Sequence, residues 1–221
     1  MDDTKLIDVV GLGRSLGVPE GTFSPPGNPD GRPPMVMQYW TKEHLHGAFD
    51  ALVELKAQGG RVALVGHIEA WVMLAIARYL MPECRVFYVS PPRPGDAGPV
   101  ELDLCVPLSL GELNPELNFK YSMREEGDRL YIDYDVDCSG DDNVHTMDPA
   151  RIPELVLPPI PADRHVFLYG SGPFSAQVAV ANAYVPFSKS VSTAYREDAV
   201  YYCAVSGCEG FEPGDTVPRV K

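Results

Sequence analysis

Arg61-Val-Ala-Leu-Val-Gly-His-Ile-Glu-Ala-Trp-Val-Met-Leu-Ala-Ile-Ala-Arg-Tyr-Leu80, followed by Arg85-Val-Phe-Tyr-Val-Ser-Pro91, is the stretch that decides the fold class. An unalternated apolar run over 61–65 ends at Gly66, as expected of a strand covered on both faces. Beyond the glycine the chain is apolar nearly all round, through Trp71, Val72, Leu74, Ala75, Ile76 and Leu80, which predicts a deeply buried helix. Pro82 stops it, and the apolar run over 86–89 reads as the next strand. The same grammar returns in His165-Val-Phe-Leu-Tyr-Gly-Ser-Gly-Pro-Phe-Ser-Ala-Gln-Val-Ala-Val-Ala-Asn-Ala-Tyr184. There a strand over 165–169 leads through a Gly-Ser-Gly-Pro turn into a helix over 174–184. A loop past Pro186 and a strand over 199–205 follow. Two similar β-α-β units predict an α/β (α+β) chain built as a pseudo-dimer. The expected domains are 1–112, carrying an N-terminal proline-rich loop, and 113–221.

Outward from the first unit, 4–12 reads as a short strand. Residues 13–34, with Pro19, Pro25, Pro26, Pro29, Pro33 and Pro34, read as a long loop. Another short strand is expected over 35–40. Thr41 then caps a helix in a near capping box, with His44 where Glu or Gln is usual. Leu45, Phe49, Leu52, Val53 and Leu55 form its apolar stripe, and Gly59-Gly60 end it. A further strand falls over 100–106, and the boundary between units over 111–115. The second unit opens on a hairpin about Gly127. In it Leu130, Ile132, Tyr134 and Val136 alternate with Tyr131, Asp133, Asp135 and Asp137. A polar loop over 138–148, a short helix or turn over 149–155 and an extended connector over 156–161 complete the chain up to the second repeat of the pattern.

At 221 residues, 45% of them hydrophobic, the chain fits one large domain or two small ones and can bury a core. It holds no apolar run of about 18 residues, so no membrane partner is expected. The opening Met-Asp-Asp-Thr-Lys has no basic segment leading into an apolar one, which predicts a cytoplasmic protein. Five cysteines without a Cys-x-x-Cys pair read as reduced thiols. The net charge is −13, with 9 basic and 14 acidic residues in 1–112 and 9 and 17 in 113–221. Duplex DNA is therefore a poor partner. A small anionic ligand is compatible, because amides at a helix N-terminus bind an anion locally whatever the global charge.

The candidate binding residues are the two strand-to-helix turns: Gly66, His67, Glu69 and Trp71 in the first unit, and Gly170, Ser171, Gly172 and Pro173 in the second. Glycines allow the sharp turn and a close approach to the backbone. Pro173 suits a first helical turn, where no donor is lost. His67 has the chemistry of an acid/base group or phosphate contact, and Ser171 that of a donor to phosphate or ribose. Tight turns without a ligand explain the same residues. Neither turn is a Walker loop or a full Gly-x-Gly-x-x-Gly. His44 and His46 point apart on their helix. The acids at 133–142 fail as a calcium loop, since Cys138 stands where glycine is required. No catalytic residue is assigned.

Several of these pieces resemble a small CRISPR-associated family that binds cyclic tetra-adenylate, some of whose members linearise it as metal-dependent ring nucleases. The likeness is carried by the hairpin over 130–136, the connector Pro153-Glu-Leu-Val-Leu-Pro-Pro-Ile160, the turn Gly170-Ser-Gly-Pro173 and Gly214-Asp215. In the first unit it is carried by Gly66, Trp71 and Tyr88-Val-Ser-Pro91. The resemblance implies a cyclic oligoadenylate binding protein of type III antiviral signalling, a sensor or a ring nuclease, with self-association as a further expectation. It also implies a divalent metal such as manganese. Cleaving members carry a histidine late in the helix and an aspartate at the end of the next strand. Here those places hold Arg78-Tyr-Leu-Met81, Ala181-Asn-Ala-Tyr184 and Ser90-Pro91, so the expected metal ligands are absent.

Two other classes fit the composition. One is an acidic interaction or scaffold protein that docks a basic partner. The other is a small metabolic α/β enzyme with its cleft at the carboxyl ends of the strands.

Overall fold

A computed structural model describes residues 4–23, 35–90, 99–114, 116–117, 119–136, 138–139, 144–145, 149–194 and 200–219. The first half runs β1 (Lys5–Asp8), α1 (Val9–Ser15), β2 (Glu20–Phe23), β3 (Met35–Gln38), α2 (Lys42–Gln58), β4 (Gly60–Val65), α3 (Ala70–Leu80), β5 (Cys84–Ser90), β6 (Val100–Asp103) and β7 (Ser109–Leu110). The second runs β8 (Phe119–Glu126), β9 (Arg129–Val136), β10 (Cys138–Ser139), β11 (Val144–His145), a 3-10 turn (Pro149–Glu154), β12 (Val156–Leu157), β13 (Arg164–Ser171), α4 (Phe174–Tyr184), β14 (Ser188–Ala194), β15 (Val200–Ser206) and β16 (Thr216–Pro218). The chain is α/β, as expected. The proline-rich segment over 24–34 lies outside the described residues, as do 91–98.

Two sheets organise the molecule. The first has the order β1-β4-β5-β6, and the second β16-β15-β14-β13-β9-β8. In the first, β1, β4 and β5 are parallel and β6 closes the edge antiparallel. In the second, β9, β13 and β14 are parallel and β15 follows antiparallel. The strand–helix–strand pieces β4-α3-β5 and β13-α4-β14 therefore have the same connectivity. Each parallel strand is added on the same side of the one before, so right-handed crossovers put the helices on one face of each sheet.

The strand after α4 is Ser188–Ala194, where a loop is expected, and 200–206 is its antiparallel neighbour. Ser-Lys-Ser-Val-Ser-Thr-Ala is too polar to read as a buried strand, yet Ser190, Ser192 and Thr193 are all buried. Neighbours absorb some of that polarity: Ser190 Oγ lies 2.8 Å from His165 Nδ1. A second difference is α1, whose glycines hide it within an expected strand and loop. Asp8 starts it by accepting the Val10 amide. The capping box at Thr41 and His44 forms as expected.

Helix α3 explains the apolar stretch that opens the sequence. It lies against β5 of its own sheet, against α2 and α4, and against β14 and β15 of the other sheet. Val72, Met73, Leu74, Ile76 and Leu80 are fully buried. Each such side chain contributes about 1.5–3 kcal/mol by leaving water, an upper figure. Trp71 stacks on Tyr202 with ring centroids 5.2 Å apart. One continuous core thus joins both halves. Around the expected boundary the halves are also tied by backbone. β7 pairs with β12, and Asn182 Nδ2 donates to the Leu104 carbonyl at 2.7 Å.

The opposite face of each sheet is covered by side chains among the described residues. On the first sheet the Arg61 and Arg85 guanidiniums lie over Phe87 at 3.7 and 5.2 Å. β4 is thus helix-covered on one face only. On the second, Tyr131, Phe167 and Tyr201 form a separate cluster, with Arg124 over Tyr131 and Arg219 over Tyr169.

Candidate functional site

The two strand-to-helix turns stand at the carboxyl ends of β4 and β13, where open α/β sheets present ligand crevices. Gly66 has φ +114 and Gly172 φ +149, values that side-chain-bearing residues rarely adopt. α3 begins later than the sequence predicts. Residues 67–69 are a lead-in, and Glu69 is the N-cap in extended conformation. α4 begins directly after Pro173. Neither N-cap residue, Glu69 or Pro173, makes a side-chain capping bond to the first-turn amides.

The fold brings the turns together. The His67 ring stacks on Phe174, the first residue of α4, with centroids 4.6 Å apart. Tyr88 at the core side meets Phe174 edge-on at 5.3 Å. His67 keeps an exposed surface, yet it sits among enough protein to lose water. That desolvation lowers its pKa below the ordinary 6.5. At neutral pH the imidazole is therefore uncharged. It can exchange hydrogen bonds and stack, but it does not offer a positive charge to a phosphate.

Glu69 and Trp71 face inward. Trp71 is 2% exposed, and its indole N–H donates to the Glu69 carboxylate. Both belong to the core wall behind the first turn, away from solvent.

The second turn borders a shallow cavity of 640 Å³ lined by Lys120, Ser122, Asp133, Asp135, Tyr169 and Ser171 among others. The register explains the grouping. Tyr169 pairs with Asp133 and Ser171 with Asp135, while Lys120 and Ser122 pair with Asp135 and Asp133 from the other side. Alternation puts all six on one sheet face. Ser171 Oγ donates to Asp135 Oδ1 at 2.5 Å. Gly170 points the other way, onto the Tyr134 ring. A Cβ there would meet Tyr134 Cε1 at 2.5 Å. Burial raises the Tyr134 pKa, so the phenol stays protonated.

The cavity's chemistry is mixed: two carboxylates, hydroxyls and one lysine. Carboxylates accept from sugar hydroxyls but repel phosphate, whereas helix amides do the reverse. The carboxylates lie on the sheet face away from α4, so a ligand that carries both groups would reach the helix amides only over the carboxyl ends of β9 and β13. Among the described residues no three His, Cys, Asp or Glu side chains gather closely enough to hold a metal ion. Phe174, Asp135 and Tyr169 are missed by sequence reasoning. Asp135 reads as the wet side of a strand, and Phe174 as one more apolar helix residue.

Gly214-Asp215 lies elsewhere. Asp215 Oδ1 accepts from Lys42 Nζ at 2.8 Å, which ties the tail to α2 and lowers the aspartate's pKa. Comparison with protein-family models, curated proteins and solved structures finds no match. No helix among the described residues is long and apolar enough to cross a membrane.

Proposed function

We propose that the chain binds a cyclic oligoadenylate, cyclic tetra-adenylate in the first instance, across its two strand-to-helix turns. The observation that supports this most is the stacking of His67 on Phe174. It makes neighbours of two turns over a hundred positions apart, each opening an uncapped helix. A ring of four nucleotides repeats phosphate, ribose and base around a symmetric path. A pseudo-dimer of like turns meets such a ring with like donors on both sides. In this reading the first-turn amides take phosphate oxygens. Asp133 and Asp135 accept ribose hydroxyls, and Ser171 turns its hydroxyl from Asp135 to the ligand. Tyr169 and His67 offer ring faces to bases. The chain acts as a cytoplasmic sensor. Any cleavage would be metal-independent and would rest on alignment of a ribose hydroxyl with its phosphate.

Isothermal titration calorimetry with cyclic tetra-adenylate, against its linear form and AMP, tests the reading. Saturable micromolar binding of the ring is expected, weakened by Ser171→Ala and by His67→Ala. Absence of ring binding, or equal binding of AMP, would refute it. Chromatography of the bound ring after incubation, with and without manganese, separates sensor from nuclease.

A further inference from the structure

A second cavity, of 270 Å³, lies at the far end of the second sheet from the turns. Arg78 of α3 forms one wall, and Ser188, Lys189, Ser190, Val205 and Ser206 of β14 and β15 are among its other lining residues. It is thus built from both halves of the chain.

Arg78 is the telling residue. It is half-buried, and its one hydrogen-bond contact among the described residues is from Nη1 to Met81 Sδ at 3.8 Å. No carboxylate pairs with it among those residues. Its place in the last turn of α3 suits the helix dipole. That dipole end carries only about half a charge and leaves most of the guanidinium's five donors without an oxygen. A part-buried cation without a counter-ion is costly unless something supplies the missing charge.

The rest of the wall adds donors. Lys189 Nζ is 3.8 Å from Asp128 Oδ2, a loose contact, and His165 Nε2 lies 3.6 Å from the same oxygen. Ser206 Oγ accepts from the Cys208 amide at 3.0 Å, which leaves its own proton to donate. Arg78, Lys189 and Ser206 thus line a space large enough for a phosphoryl group with a few attached atoms, and too small for a cyclic tetranucleotide. At physiological ionic strength the chain's distant acids are screened beyond about 8 Å, so these near charges govern.

We propose that this cavity is a phosphate site, taking inorganic phosphate or the phosphoryl end of a small monoester, with Arg78 as its principal ligand and Lys189 and Ser206 as supporting donors. It is independent of the cyclic oligoadenylate reading.

The test is calorimetric titration of the full chain with inorganic phosphate, and in a second arm with glycerol 1-phosphate, at ionic strength matched with chloride. Saturable binding in the millimolar range or tighter is expected. Tighter binding of the ester would mark the monoester as the ligand, and tighter binding of phosphate the free ion. Arg78→Gln is expected to weaken binding at least about tenfold, the loss that follows removal of a charge-assisted bidentate contact. Lys189→Gln is expected to weaken it less. Arg151→Gln, at a surface arginine paired with Glu154, and Ser171→Ala are expected to leave it unchanged. No saturable binding by the unmodified chain would overturn the proposal. So would equal binding by Arg78→Gln, or loss of binding in Ser171→Ala, which would move the phosphate to the turns. If Arg78→Gln fails to fold, the unmodified chain and Lys189→Gln still decide.

Discussion

Gly170→Ala isolates one contact on which the cavity beside the second turn depends. Gly170 sits near the end of β13, opposite Tyr134 of β9 in the parallel register. An added Cβ would lie 2.5 Å from Tyr134 Cε1 and Cε2, where ordinary contact begins at 3.4 Å. The ring must therefore retreat by about 1 Å. It has little room, since Tyr134 is 8% exposed and its ring stacks on Phe119 at 6.0 Å. Overpacking of a well-filled core costs about 1–3 kcal/mol, and the hard geometry here puts the expected loss in the upper half of that range. Urea unfolding followed by circular dichroism reads it as a lower midpoint at unchanged slope. Tyr134→Leu removes the clashing atoms and is destabilising by itself through the cavity it opens. The double variant should then be more stable than the sum of the two losses, by at least about 1 kcal/mol of coupling. A Gly170→Ala loss below about 0.5 kcal/mol, or additive losses in the double variant, would refute the reasoning.

Three further predictions concern other parts of the frame. Glu69→Ala strands the buried Trp71 indole N–H and should cost about 1–3 kcal/mol, while Glu69→Gln keeps an acceptor and should recover most of it, both by urea unfolding. His67 has a folded-state pKa below the ordinary 6.5, so between the two values the unfolded chain binds a proton that the folded chain does not. Stability should therefore fall as pH drops through that window, and thermal unfolding of His67→Gln should show a shallower fall. Gly214 has φ +92, and a Cβ there would meet Lys42 Cα at 2.8 Å, so Gly214→Ala should lower stability by about 2 kcal/mol and release the tail to limited proteolysis.

What the sequence made legible follows its apolar patterning. β9 alternates because one face meets the core, and α3 is apolar all round because sheets and helices enclose it. Glycines marked both turns because backbone geometry is local. β14 escaped because three of its buried residues, Ser190, Ser192 and Thr193, carry hydroxyls, and His165, which meets Ser190, lies on another strand. The pairing of the site residues escaped for a related reason. Ser171 and Asp135 become neighbours only through parallel strand register, and His67 and Phe174 only through packing between the halves. Single-chain periodicity holds no trace of either pairing. α1 is a different case: its Asp8 cap was readable, but Gly11 and Gly13 argued against a helix.

The placement of Trp71 against Tyr202 has a consequence for biosynthesis. Synthesis proceeds from the N-terminus, so Trp71 leaves the ribosome long before Tyr202, 131 positions later, exists. Until then α3 carries an oily flank that its own sheet cannot hide. The first half spends that interval as an incomplete object and a natural client for chaperones, and a ribosome stalled between the two halves would release an aggregation-prone fragment.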